Sequence, residues 1–284
     1  MVPVSIFETF LWILFIVALL DGFRRFGFKN GFMFFFPAFI YGWLLEEAAI
    51  AIFQRYYYSP DFLLKYLDAP FCIAAGWAVI LYSGIIIAER LSLSRFKTAL
   101  FVALWGLSID FSMDALAVRF SYWTWTFPEY SVLPFFKVPV SNFAAWFIVL
   151  FCFTYFHLLG RNKRYRNFFM GFDAVLPSLP LLILGIIFML VTKYERVFYG
   201  LSWWHMIIIM PLPVMMILSL WLLKLTPLRD PENRIPVLLT ESFHVFFFVS
   251  SLYLWMVTGV WSYTIAAAVS LLPIITYMVR SRIP

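Results

Sequence analysis

The sequence predicts an all-α polytopic membrane protein, a bundle of about eight or nine transmembrane helices. The 284 residues are 64% hydrophobic and only 13% charged, whereas soluble domains average roughly 45–50% and about 25%. The mean hydropathy is +0.90. A soluble fold of this size could not bury so much apolar surface, so we expect lipid to surround most of the chain.

Apolar runs of membrane-spanning length recur along the chain, separated by short polar connections. They cover residues 4–21, 31–53, 70–88, 98–118, 139–159, 170–192, 204–223, 237–256 and 260–279. With the N-terminus outside, most of the 21 lysine and arginine residues fall in cytoplasmic connections, as the positive-inside rule requires. We therefore expect one transmembrane domain over residues 1–284, with its C-terminus in the cytoplasm, in the cytoplasmic membrane.

The connection over residues 119–138 is unusually aromatic for a loop in water. It contains the stretch YWTWTF, and Pro128 and Pro134 follow, which prevents a regular helix. Irregular backbone at membrane depth is tolerated only against protein or water. The sequence predicts an interfacial or re-entrant connection that folds back over the outer end of the bundle.

Several classes of function are disfavoured by the sequence. The net charge of +6 is spread over clusters between apolar runs, which does not resemble a nucleic-acid-binding face. Cys72 and Cys152 lie in apolar runs without a C-x-x-C pair, and the three histidines are scattered, so neither a zinc site nor a haem site is indicated. Gly-rich nucleotide-binding motifs are missing from the sequence. We expect no metal, no cofactor and no nucleic-acid partner.

Four acidic residues are expected at one level in the outer half of the bundle. Glu46 and Glu47 lie in the second apolar run, and Asp110 and Asp114 lie one helical turn apart in the fourth. A charge at mid-membrane costs at least ~2.5–3.5 kcal/mol on insertion scales, so four carboxyl groups at one depth point to a function. Neighbouring residues of a helix point about 100° apart, so at most one of Glu46 and Glu47 faces a cavity squarely.

Further polar and aromatic side chains are expected at this outer level. Asn142 and Trp146 lie near the start of the fifth run, and His205 lies at the start of the seventh. Structural roles stay open beside functional ones. Asn142 could cap its helix, Trp123 and Trp125 could be interfacial anchors, and the acids could serve only in hydrogen bonds.

Carboxylic acids in an apolar, aromatic site suit acid-initiated chemistry on a lipidic alkene. A neutral acid can protonate an electron-rich double bond. The faces of Trp123, Trp125 and Trp146 would stabilise the resulting tertiary cation, by about 2 kcal/mol or more when desolvated. Capture of the cation by water gives an alcohol, and capture by an internal double bond gives a ring.

The predicted roles follow from this chemistry. Asp110 is the leading acid, Asp114 and either Glu46 or Glu47 assist it, and Asn142 orients water or an acid. The expected partners are a long-chain isoprenoid substrate and membrane lipid, and a second copy of the chain stays open. Two rival functions also stay open, a proton-coupled transporter and a non-catalytic lipid- or pigment-binding subunit.

Part of the sequence resembles a known family. The stretches SIDFSMDALAVRFSYWTWTF and FFKVPVSNFAAW are similar to the integral-membrane carotenoid biosynthesis family, which includes carotenoid hydratases. The matching positions are Glu46 or Glu47, Trp77, Asp110, Asp114, Trp123, Trp125, Pro139, Asn142, Phe143 and Trp146. The resemblance covers residues 40–150. It implies an enzyme without a cofactor that adds water to the terminal double bond of an acyclic carotenoid end; a related isoprenoid cyclase stays open from the carbocation chemistry.

Three positions depart from the pattern of that family. Ala115 stands where a proline follows the second aspartate, and Lys137 and Ala145 stand where the family has glycines. Glycine permits close approach of two backbones. The two lost glycines therefore predict a narrower or reshaped outer mouth.

Overall fold

Helices dominate the part of the chain that the computed structural model describes, namely residues 2–54, 56–126, 136–138, 140–161 and 234–275. They are α1 (Val4–Phe53), α2 (Phe71–Arg90), α3 (Arg95–Arg119), α4 (Val140–Gly160), α5 (Ile235–Thr258) and α6 (Ser262–Ser270). Four of them, α1, α2, α3 and α5, are long and apolar enough to cross a membrane. The predicted helical membrane architecture is confirmed in this form. The predicted runs over 170–192 and 204–223 lie outside the described residues.

Helix α1 contains both of the first two predicted runs. They form two helical halves, because the chain turns back on itself at Gly27. Gly27 has φ 74°, in the left-handed region that glycine enters without steric cost. The two halves then pack antiparallel, with ring centroids 6.4 Å apart for Trp12 and Phe39 and 5.9 Å apart for Phe15 and Phe35. Each half is long enough to cross a hydrocarbon core of about 30 Å.

Helices α2 and α3 form the centre of the bundle. In each of them, 89% of the most apolar stretch of 18 residues is buried, against 39% in α1 and 50% in α5. A buried polar layer joins these two helices to α5, since Trp105 Nε1 donates to Thr240 Oγ1 at 3.1 Å and Thr240 lies 3.2 Å from Ser83 Oγ. Interhelical hydrogen bonds of this kind hold membrane bundles together where the hydrophobic effect cannot.

Two short antiparallel ladders lie in the connections at one end of the bundle, and the predicted all-α fold does not include them. Strand β1 (Tyr56–Tyr58) pairs with β4 (Trp123–Trp125), and β2 (Lys65–Tyr66) pairs with β3 (Ala69–Pro70). Strands of two or three residues are too short to show a periodicity in the sequence. The first ladder ties the start of the aromatic connection to the connection between α1 and α2 at residues 54–70.

Two acids of α1, the buried Glu8 and the half-buried Glu47, anchor the connection over residues 54–70. The carboxylate of Glu8 accepts hydrogen bonds from the backbone N–H groups of Leu63 and Leu64 at 2.8 and 3.0 Å. Glu47 accepts them from Asp68 and Ala69 at 3.1 and 2.8 Å. The connection is therefore held against both halves of the α1 hairpin.

Candidate active site

Asp110 and Asp114 are buried inside the bundle, on one face of α3. Their exposed fractions are 0% and 3%, and a spacing of four residues places both side chains on the same side of a helix. The side-chain amide of Asn142, in the first turn of α4, donates to Oδ2 of both, at 3.3 Å to Asp110 and at a shorter distance to Asp114. Within the described ranges no lysine or arginine forms an ion pair with either acid. The two carboxyl groups therefore share one neutral donor.

The second carboxyl oxygen of Asp110 is not used by the described part of the protein. Its Oδ1 is buried and has no hydrogen-bond partner among the described residues. A buried polar atom without a partner costs free energy, and in native structures such atoms concentrate where a protein meets a ligand, a water or a reacting group.

Glu46 is buried beside this pair, and both of its carboxylate oxygens accept hydrogen bonds. Its Oε2 accepts from the hydroxyls of Tyr56 and Tyr58 at 2.5 and 2.8 Å, and its Oε1 accepts from Trp77 Nε1 at 2.8 Å. Burial first, and the charge of Glu46 second, raise the pKa of both phenols well above the usual range, so both hydroxyls keep the protons that they donate. Glu46 is close enough to interact electrostatically with Asp110 and Asp114.

Trp77 and Trp146 form a closely packed, tilted pair next to Glu46. Their ring centroids lie 4.1 Å apart, with an angle of 32° between the ring planes. Trp146 follows Asn142 by one turn of α4, so the indole pair adjoins the two aspartates. Gly42 makes room for the pair, because a Cβ at position 42 would lie 2.8 Å from the Cβ of Trp77.

The ladder of β1 and β4 places the other predicted tryptophans over the same cluster. Tyr58 pairs with Trp123 and Tyr56 with Trp125. The ring centroids of these pairs are 5.7 and 4.7 Å apart. Since both tyrosines bind Glu46, the ladder connects both tryptophans to the buried acids.

A sequence model of one protein family, described as carotenoid biosynthesis protein, matches residues 4–207. The chain belongs to this family. The match confirms the resemblance seen in the sequence and includes every side chain of the cluster around Asp110. No curated protein and no solved structure matches the chain significantly. The family membership, together with the apolar helices, makes the chain a membrane protein of carotenoid biosynthesis.

The structure brings most of the predicted site residues of this family member together. Those that join one cluster are Asp110, Asp114, Glu46, Asn142, Trp77, Trp146, Trp123 and Trp125. Glu47 does not join it, because its carboxylate binds the backbone of residues 68 and 69. His205 lies outside the described residues. The chemical roles assigned to all of these residues stay predictions.

Tyr56 and Tyr58 belong to the cluster but were not predicted. They stand in the short stretch YYY, where alternation places the first and third side chains on one face of a strand. That signal is present in the sequence, but three residues are too few to separate a strand from a loop.

The three departures from the family pattern have different structural consequences. Helix α3 continues through Ala115 to Arg119, which a proline at position 115 would disturb. Lys137 has φ 65°, the left-handed conformation that glycine adopts more readily. Ala145 is exposed on the surface of α4, so its methyl group leaves the space around the buried cluster unchanged.

Metal ligands are not grouped in the described part of the chain, where no three His, Cys, Asp or Glu side chains come together as a metal site. The acids of the cluster accept hydrogen bonds from amide, phenol and indole groups instead. The expectation that the reaction needs no cofactor stays a prediction. What the cluster offers chemically is acid groups beside aromatic faces.

Proposed function

We propose that this protein hydrates a terminal double bond of a long polyene, through a carbocation, in carotenoid biosynthesis. The observation that carries the proposal is the buried pair Asp110 and Asp114, which shares the amide of Asn142 and leaves Asp110 Oδ1 open. Family membership supports a carotenoid as the substrate. The chain would act as a bundle of eight or nine spans in the cytoplasmic membrane, with its N-terminus outside, as about 20 residues per span allow.

The proton comes from the aspartate pair. Two carboxyl groups that share one donor, in a buried site where the described residues supply no cation, cannot both be ionised at low cost. One proton is therefore retained, and Asp110 donates it from the open Oδ1. The electrons of the double bond form a new C–H bond at its CH carbon, the O–H bond of Asp110 breaks, and the dimethyl-substituted carbon at the end of the chain becomes a tertiary cation.

The aromatic side chains around the pair stabilise this cation. A cation over an indole face gains about 2 kcal/mol or more when water is excluded, and Trp77, Trp146 and Trp123 supply such faces next to the acids. Their electrostatic attraction is stronger for the cation than for the neutral alkene, so it lowers the barrier rather than merely tightening binding.

Water completes the reaction and restores the acid. Its oxygen forms a bond to the tertiary carbon, and one of its two protons passes to Asp114, from which it moves to Asp110, so that Asp110 is protonated again for the next turnover. The product is a tertiary alcohol, heavier than the substrate by one water molecule. Asn142 holds the two carboxyl groups in register through both steps.

Pigment analysis tests the proposal. The chain is expressed in a bacterial host that makes acyclic and monocyclic carotenoids, beside Asp110→Asn and the control Asp61→Asn, which makes the same change at an exposed position of the outer connection. We expect a product heavier by one water molecule with the wild type and the control, and none with Asp110→Asn. A new isomer of unchanged mass would show that the enzyme cyclises its substrate and would contradict hydration. Unchanged pigments in cells that contain well-folded protein would contradict the proposal altogether.

A further inference from the structure

Glu46 contacts the aromatic side chains of the cluster on two sides. One carboxylate oxygen binds the indole N–H of Trp77, and the other binds the hydroxyls of Tyr56 and Tyr58. All three groups donate and none accepts, which suits an acceptor-only carboxylate. Both oxygens of Glu46 are therefore engaged by side chains of the protein, and neither is directed at a substrate.

We infer that Glu46 is a positioning residue that sets the orientation of the Trp77–Trp146 pair, with Tyr56 and Tyr58 as its clamp. This assignment differs from the role expected from the sequence, in which either Glu46 or Glu47 assists Asp110. Its effect on the reaction rests on the proposed function, whereas its effect on the indole pair rests on the contacts alone.

The indole pair needs such a restraint. Two tilted rings whose centroids lie 4.1 Å apart keep their relative orientation only if neither ring can turn about its side-chain torsions. The 2.8 Å bond from Nε1 to Glu46 holds the outer edge of the Trp77 ring, and the close approach of Gly42 holds its Cβ. Trp77 is therefore held at both ends, and Trp146 follows its orientation.

The tyrosine clamp also connects the indole pair to the outer ladder. Tyr56 and Tyr58 come from β1, whose partner β4 carries Trp125 and Trp123. Through Glu46, the aromatic groups from α2, α4 and both outer connections take up one fixed arrangement. A cation at the site then meets indole faces that need not reorganise, which is how preorganised sites stabilise charge.

Circular dichroism tests the positioning without any substrate. Two indoles packed this closely and tilted to each other couple and give a pair of circular dichroism bands of opposite sign in the far ultraviolet, which the difference spectrum between wild type and Trp146→Phe isolates. We expect Glu46→Gln to lose most of this couplet, because an amide cannot accept from all three donors without turning its own N–H₂ group toward one of them. Glu47→Gln, at the neighbouring residue that binds only backbone groups, should keep the couplet.

The outcomes separate this inference from the proposed function. A couplet that survives in Glu46→Gln, or one that is missing in the wild type, overturns the inference even if hydration occurs. If Glu46→Gln does not fold, the double change Tyr56→Phe and Tyr58→Phe is measured, and an unchanged couplet there overturns the clamp. With a hydration assay, Glu46→Gln should lower kcat roughly 10–100-fold and change KM little, since the indoles act on the cation.

Discussion

Asp110 and Asp114 accept hydrogen bonds from one and the same side-chain amide, that of Asn142. Two acids of α3 are thus held by a single residue of α4, and the relationship exists only because the two helices pack. The amide offers two N–H groups and no charge. It can satisfy the carboxyl pair without removing the proton that the proposed reaction needs.

Asn142→Asp is expected to destabilise the protein, because it replaces the shared donor by a third buried acid. A buried acceptor that loses its donor costs about 1–3 kcal/mol, and the added acid increases that cost. Thermal unfolding in detergent measures the effect. Asn30→Asp is the control, because Asn30 is exposed and donates only to the backbone of its own helix; equal melting temperatures for both variants would contradict the prediction.

Gly42→Ala should disturb the indole pair. The added methyl would lie 2.8 Å from the Cβ of Trp77, and overpacking of this kind costs typically about 1–3 kcal/mol. The matched control is Gly76→Ala, where the new Cβ meets Leu11 at an ordinary 3.5 Å and the helix gains roughly 0.5–1 kcal/mol. Melting temperatures that shift in the same direction for both would show that the contact with Trp77 is not tight.

Glu47→Ala should loosen the connection over residues 54–70 and leave the bundle folded. The N–H groups of Asp68 and Ala69 lose a charged acceptor, and hydrogen bonds to charged groups contribute about 1.5–3 kcal/mol. Hydrogen exchange over residues 62–70 is the measurement, and it should become faster there than in Asp61→Ala. Unchanged exchange would mean that Glu8 alone holds the connection.

Thr240→Val should weaken the bundle at its buried polar layer. It removes the acceptor of Trp105 Nε1, and hydrogen bonds between membrane helices contribute about 0.6 kcal/mol on average and up to about 1.7. Thr154→Val is the control, because the hydroxyl of Thr154 is buried and has no partner among the described residues. In detergent, the melting temperature of Thr154→Val should equal or exceed that of the wild type, and that of Thr240→Val should be lower. The opposite order would contradict a stabilising role for the buried polar layer.

Local sequence patterns predicted much of the helical structure. The apolar runs near 70–88, 98–118 and 237–256 coincide with α2, α3 and α5, because hydropathy adds up along a segment without reference to its neighbours. The turn of α1 at Gly27 lies in the polar stretch of the sequence that separates the first two predicted runs. The two strand ladders escaped prediction, since each consists of two or three residues whose partners come from a distant or adjoining connection.

By itself, the sequence determined the chemistry that is available: several acids, an amide and a set of tryptophans in a chain of the carotenoid biosynthesis family. The tertiary structure decided how these groups are used. It turned Glu46 toward Trp77 and Glu47 toward the loop, although the two are neighbours, and it added Tyr56 and Tyr58 to the cluster. The reason is that hydropathy and motifs act along the chain, whereas the partner of a buried polar group is chosen by the packing of segments that are distant in sequence.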